Sequence, residues 1–548
     1  MRIARLTALM LILPVAGCAI PINQTAPSGT PVPGQSTAPN VTLVTLDSPS
    51  PLLAVKLMVK AGSSDDPVGK EGLALLVAES LIQGGFGDPS RPVTKEQLAE
   101  ITQPWGEGAM PAAQIAAETT TFHMVIPREV LGTYLERVLG PMLRSPQFSA
   151  SELDRLRNEA SAQIAVARSE DLENLGLSAI EAYTMEGTRY QHQPFGTELG
   201  LAAITRDDLI AFFRSHYRPE NVILGISTAD RAITDPVVSV VAQMNRDAEG
   251  AVPAPPSGSV APISGRHAVV IDQPNAPAAS LHLGFPIDVK RTDPDFWPLY
   301  VANTWLGTHR DSTGHLYQMI RQERGYNYGD YSYIEHWNGR TGSLFQIFNQ
   351  PRSQQYFSIW VRPVQHEYAY PLMKAITYEL ERMVQDGLTA EQVAEAKNKA
   401  KVLYVNLGET VSRLLAAKMD DAFYGMSPGF LENYLENVDR VTPEQVNAAV
   451  RRHLQTRNLK YVVITSSENV PSLVAQIRGN EPAQGKSFAD YEFPQVKRAD
   501  GSVEFEVPAE KREMVERDAR WAAYPLSIGS VRVVPVRAIF RSGQFVTE

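Results

Sequence analysis

The sequence predicts an α+β protein of two tandem homologous domains, each an antiparallel sheet packed with helices. Two observations carry this. Strand-like and helix-like stretches are grouped rather than strictly alternating, which separates α+β proteins from βαβ folds. Three segment pairs also recur in the same order in the two halves of the chain. Asp66-Pro67 and Asp293-Pro294 each sit between an alternating strand and an apolar helix. Ser149-Ala150-Ser151-Glu152-Leu153 and Thr389-Ala390-Glu391-Gln392-Val393 each open a helix with a hydroxyl cap and an early acid. Ile204-Thr205-Arg206-Asp207-Asp208-Leu209 runs on to His216 and Asn221, as Val441-Thr442-Pro443-Glu444-Gln445-Val446 runs on to His453 and Asn458. A repeated unit of about 200 residues lies within the ordinary domain range.

Composition narrows the chemistry. Of 548 residues, 43% are hydrophobic and 20% charged, which supplies cores and excludes a disordered or fibrous chain. The 51 Lys+Arg against 61 Asp+Glu give a net charge of −10, the wrong sign for a nucleic-acid binder. The single Cys excludes a disulfide framework and any site of several thiolates.

From the N-terminus, Arg2 and Arg5 precede an apolar run over 6–15, the two leading regions of a secretory signal and too short to span a membrane. Val15-Ala16-Gly17-Cys18 resembles the bacterial lipobox, which implies removal of residues 1–17 and a lipid on Cys18. Ala19, rather than Asp, implies the outer membrane. Residues 18–40 are uncharged and rich in Pro, Ser, Thr and Gly, a flexible tether. The first domain is expected over 41–250, with strands at 54–60, 120–126 and 222–226 and helices at 72–83 and 128–144. Residues 251–264 read as a Pro-rich linker. The second domain follows over 265–470, with a strand at 461–464. Residues 471–548 are an extension, polar and turn-rich at first, then helical at 512–523 and β-like at 529–540.

After the first strand come Ala61-Gly62, an acidic loop with Asp65 and Asp66, and Gly72-Leu73-Ala74 opening the helix. This order, over residues 41–467, resembles the pitrilysin/insulinase-like zinc peptidases, the inverzincins. The resemblance implies a two-domain bacterial chain forming half of a clam-like chamber, with the zinc motif H-x-x-E-H on the helix after the acidic loop. There, histidines at i and i+4 bind zinc and the Glu activates water. Here the two His positions hold Leu75 and Glu79, and the Glu position holds Ala78. The family's third ligand, a Glu on a later helix, falls at Ala162 and Gln163. Glu159 lies about a turn earlier and is placed to meet Glu79, but two carboxylates without a His make a poor zinc site. The resemblance thus implies no metal and no cofactor in this chain.

No other motif replaces the lost one. His366-Glu367 lacks the second His of H-E-x-x-H, and Glu335-His336 is a lone pair. His309 and His315 suit a surface loop. His216 and His453 are repeat equivalents, expected to be structural.

Arg321-Gln322-Glu323-Arg324-Gly325-Tyr326-Asn327-Tyr328-Gly329 resembles the family's second signature, R-E-x-R-G-L-x-Y-S, with a strand expected over 326–334. The resemblance implies that Arg321 binds substrate backbone and that Tyr328 stands near the developing oxyanion. Lost ligands beside a retained Arg/Tyr pair imply the non-catalytic subunit of a heterodimeric periplasmic peptidase. Its partner is a homologous subunit with an intact H-x-x-E-H, which holds the zinc. Its substrate is a peptide or small unfolded protein, the lipid reaches the membrane, and nucleic acid is no partner. The alternative is an inert scaffold or binding lipoprotein of the same fold. A third reading is an active metallopeptidase with an unrecognised site.

Overall fold

The computed structural model describes residues 40–545, apart from 170, 257–259, 338–348, 408–409, 428, 484–490 and 492. Cys18, the signal at 1–17 and all of the tether but Asn40 lie outside the described residues.

Five strands build the first sheet: β1 (Thr42–Thr45), β2 (Leu52–Val59), β3 (Ala112–Ile115), β4 (Thr120–Pro127) and β5 (Val222–Ile226). Period-2 patterning sets their facing. In β4, Phe122, Met124 and Ile126 are buried while His123 is exposed. The second sheet uses β6 (Arg266–Asp272), β7 (Ala279–Ile287), β8 (Asp330–Tyr333), β9 (Gln355–Val364) and β10 (Leu459–Thr465). The first sheet runs β1-β5-β2-β4-β3 and the second β6-β10-β7-β9-β8, the same connectivity strand for strand. The duplication therefore extends from three segment pairs to the whole sheet. Central pairs are antiparallel, as expected, but β1 with β5 and β6 with β10 are parallel. A helical crossover separates each of these pairs in sequence, which permits parallel pairing.

The helices that matter for the site are α1 (Leu73–Gln83), α2 (Ala150–Ser169), α3 (Leu172–Thr184), α4 (Phe296–Gly307), α5 (Ala369–Asp386), α6 (Ala390–Leu407), α7 (Val411–Tyr424) and α8 (Arg512–Ala523). The expected hydroxyl caps are present. Ser149 Oγ accepts from Glu152 N at 3.3 Å, and Thr389 Oγ1 from Gln392 N at 3.2 Å. The helix expected over 128–144 widens to a π turn at Leu135–Leu139, ahead of Pro141. Proline lacks an N–H and crowds the carbonyl four residues back, which a wider turn relieves.

Helices are exchanged between the repeats. α3 packs on β7, β9 and β10 of the second sheet, and α7 packs on β1, β2 and β5 of the first. Two glycines permit the approach: a Cβ at Gly176 would lie 2.0 Å from His282 Nε2, and one at Gly225 would lie 2.3 Å from Met419 Sδ. Leu415 and Met419 on α7 are fully buried. Each such side chain contributes about 1.5–3 kcal/mol relative to exposure. Buried carboxylates join the same interface. Glu118 accepts from Arg189 at 2.8 Å and from Tyr424 of α7 at 2.9 Å.

The extension is woven into this core. Its hairpin strands are β11 (Gln495–Lys497) and β12 (Val503–Phe505), and β13 (Ser530–Pro535) joins the second sheet parallel to β6. Beyond β13 the chain returns to the first repeat. Glu198 N and Leu199 N donate to the carbonyls of Phe540 and Arg541 at 3.0 Å each, and Phe545 stacks on Tyr183 with centroids 4.9 Å apart. The helix Val470–Gly479 crosses the boundary expected at 470 and matches Arg231–Val241, the last helix of the first repeat. Among the described residues, none of 251–264 is in a helix or strand, and no helix is long and apolar enough to cross a membrane.

Candidate functional site

The loop before α1 folds back to start it. Asp66 accepts from Gly72 N and Ala74 N at 2.7 Å each, which satisfies amides that a first helical turn leaves free. α1 then packs inward on nearly every face. Its half-buried positions are Leu75, Glu79 and Gln83, spaced i, i+4, i+8 along one stripe, while Ala78 is fully buried. This is the face on which two histidines four residues apart would bind one ion.

A hydrogen-bond chain occupies that face. Gln83 Nε2 donates to Glu79 at 2.5 Å, and Gln83 Oε1 accepts from Arg155 Nη2 of α2 at 3.2 Å. Arg155 pairs with Glu152 at 2.7 Å and with Glu159 at 2.6 Å. Glu79 and Glu159 are thus linked through Gln83 and Arg155. Burial pushes the Glu79 carboxyl up, against the Gln83 hydrogen bond and with the added repulsion of Glu159. Ala162 and Gln163 are exposed on α2. These residues do not fit zinc: Leu75 and Ala78 carry no donor atom, and a guanidinium reaches in among the carboxylates. Among the described residues, no group of three or more His, Cys, Asp or Glu is placed to hold a metal.

The loop histidines are not on the surface. His309 is buried, with Nδ1 2.7 Å from the Tyr333 hydroxyl and its ring stacked on Trp337. Burial lowers it to about 3. His315 stacks on Trp305, and its Nε2 lies 2.7 Å from Glu379. Tyr331, Tyr333 and Trp337 enclose His309, while Ser312 and Thr313 of the same loop are exposed.

Arg321 and Tyr328 come together. Arg321 lies on a π-helical turn, Tyr317–Gln322, capped by Glu323, and Gly325 follows at φ +60°. The strand expected from 326 begins only at Asp330. Asn327 bends the chain before it, accepting from Gly329 N at 3.2 Å and donating to Asp330 Oδ1 at 2.8 Å. Within this bend Arg321 Nη1 donates to the Tyr328 carbonyl at 3.0 Å and to the Tyr317 hydroxyl. Its Cζ lies 4.8 Å from the Tyr317 ring centroid and 5.3 Å from that of Tyr328, inside the ~6 Å range of a cation–π contact. The Tyr328 side chain still faces solvent, with the residue 73% exposed. Sequence reasoning missed Tyr317, whose i, i+4 relation to Arg321 was the available signal. It also missed Asp330, fully buried beneath the bend, where burial lifts its carboxyl well above the usual range. The result is a fixed cation beside an accessible phenol donor.

Two family models match the chain in tandem: Insulinase (Peptidase family M16) over residues 42–198 and Peptidase M16 inactive domain over residues 203–400. The chain is similar to an uncharacterized zinc protease of Streptomyces coelicolor, 26% identical over 329 residues, which cover 58% of this chain and 66% of that protein. The match thus spans just under two thirds of that relative's own length. Two solved structures share the fold. A protease from Helicobacter pylori has a TM-score of 0.66 at 15% identity, covering 78% of this chain and 97% of that one. A peptidase M16 inactive domain from Pseudomonas fluorescens has a TM-score of 0.62 at 20% identity, covering 78% and 96%.

Proposed function

The chain belongs to the insulinase family of M16 peptidases, and we propose that it is the non-catalytic subunit of a heterodimeric periplasmic zinc peptidase. A homologous partner with an intact H-x-x-E-H carries the zinc and the water-activating Glu. This chain supplies the other half of a clam-like chamber. The observation that supports the reading is the contrast between its two sites. The metal stripe of α1 holds Leu75, Glu79 and Gln83, tied to Arg155, whereas Arg321 and Tyr328 keep a cation and an exposed phenol side by side.

The division of labour follows. Metal chemistry belongs to the partner, and this chain acts at the substrate's carbonyl oxygen. Tyr328 donates its hydroxyl as charge builds on that oxygen, an interaction stronger in the transition state than in the ground state. Arg321 holds the Tyr328 backbone and ring and turns its remaining N–H groups to the substrate backbone. The substrate is a peptide or small unfolded protein. Lipid on Cys18 keeps the subunit at the outer membrane facing the periplasm, with several acyl chains, since one binds only marginally.

An inert scaffold or binding lipoprotein of the same fold is the second reading. The observation that favours it is that Arg321 already spends donors inside its own chain, on Tyr317 and on the Tyr328 carbonyl. One substitution separates the two. In the purified complex Tyr328→Phe should lower kcat by ~10²–10³, the usual loss for one oxyanion donor, with assembly and zinc content unchanged. Full activity of that variant in an active complex would leave the scaffold reading in place.

A further inference from the structure

Arg324 sits inside the same segment, and its side chain is fully buried, 0% exposed. A guanidinium removed from water requires its N–H groups to be paired. Two partners are local: Nη1 donates to the Met319 carbonyl at 2.5 Å and to Glu323 at 2.7 Å. Further partners come from α8 of the extension. Nε donates to Asp518 Oδ1 at 2.6 Å and Nη2 to the Met514 carbonyl at 3.1 Å, while Cζ lies 4.2 Å from the Trp521 ring centroid.

α8 is itself anchored. The Tyr491 hydroxyl donates to Asp518 Oδ2 at 2.7 Å, and Trp521 Nε1 donates to Glu379 of α5 at 2.8 Å. The helix therefore grips Arg324 on one side and α5 on the other. Arg324 is one helical step from Arg321, and Gly325 N donates to the Arg321 carbonyl at 2.7 Å. A displacement of Arg324 thus moves both the turn carrying Arg321 and the bend leading to Tyr328.

We propose that α8 is a positioning element for the Arg321–Tyr328 pair: by holding Arg324 through Asp518, Met514 and Trp521, it sets where the cation and the phenol stand. Its mechanical part stands alone, while its effect on turnover rests on the trans-acting reading above.

The test uses the full chain, alone and in the complex, with Asp518→Asn. Hydrogen exchange of peptides over 317–329 should speed by about tenfold or more, the loss expected when a charge-assisted bond is broken, while peptides from β2 and β5 stay as they were. Asp518→Glu should recover part of the protection. In the complex, kcat should fall and KM rise, since both members of the pair are displaced, while assembly and the partner's zinc hold. Should Asp518→Asn fail to fold, Tyr491→Phe removes only the hydroxyl that fixes Asp518 and should act in the same direction with smaller amplitude. Unchanged exchange over 317–329, or a rise spread equally over the whole chain, overturns the proposal. So does local loosening with undiminished kcat in a complex that Tyr328→Phe does inactivate. If Tyr328→Phe is itself silent, the trans-acting reading fails, and exchange alone decides whether α8 positions the pair.

Discussion

Glu181 on α3 receives the guanidinium of Arg352 from the second repeat, with their side chains only 3% and 4% exposed. His336 stands at the other carboxylate oxygen, its Nδ1 at 3.2 Å. Burial alone would raise Glu181, but Arg352 overrides it and holds the carboxyl well below its ordinary value of 4.5. The pair sits where α3 crosses into the second sheet, so it joins the two repeats.

Stability should therefore fall on acidification. A carboxyl depressed in the fold stabilises above its unfolded value and loses that contribution as pH drops through the folded one. Burial lowers His336 as well, so below its ordinary value of 6.5 the unfolded chain takes up a proton that the fold refuses, and the two effects add. Glu181→Gln should cost about 3–5 kcal/mol near neutral pH, because it strands a buried guanidinium. The variant should also flatten the stability loss from about pH 5 to about pH 3. Urea unfolding across that range checks it, and equal acid losses in both proteins would refute it.

Arg321→Ala should raise KM of the complex as well as lower kcat, since a backbone contact also serves ground-state binding. Arg321→Lys should recover only part, because an ammonium lacks the planar face that stacks on Tyr317 and Tyr328. Steady-state kinetics on both variants decides. A kcat-only defect in Arg321→Ala would remove the substrate-backbone role.

Washed with chelator and purified alone, the chain should retain no stoichiometric zinc and cleave no peptide, with Glu79→Ala changing neither. Elemental analysis and a peptidase assay measure this. Tight zinc lost on Glu79→Ala would restore a metal role to the α1 stripe.

Cys18→Ser should release the protein to the soluble periplasmic fraction or leave its leader uncleaved. Fractionation with mass analysis of the mature N-terminus reads the outcome, and a processed, membrane-bound variant would count against the lipid anchor.

The sequence by itself determined the duplication, the absence of any His over 75–79 and the closeness of Arg321 to Tyr328. These depend on neighbours in the chain: strand alternation, helix-opening caps, and residues seven positions apart joined by Gly325. The tertiary structure decided the rest. Nothing in the periodicity of α3 or α7 says that each crosses to the other repeat's sheet, because an apolar helix face does not encode which sheet covers it. Arg155 linked to Gln83, and α8 gripping Arg324, are contacts of long sequence separation. Their partners are ordinary charged residues on helices, whose meeting depends on packing angles that local pattern leaves open.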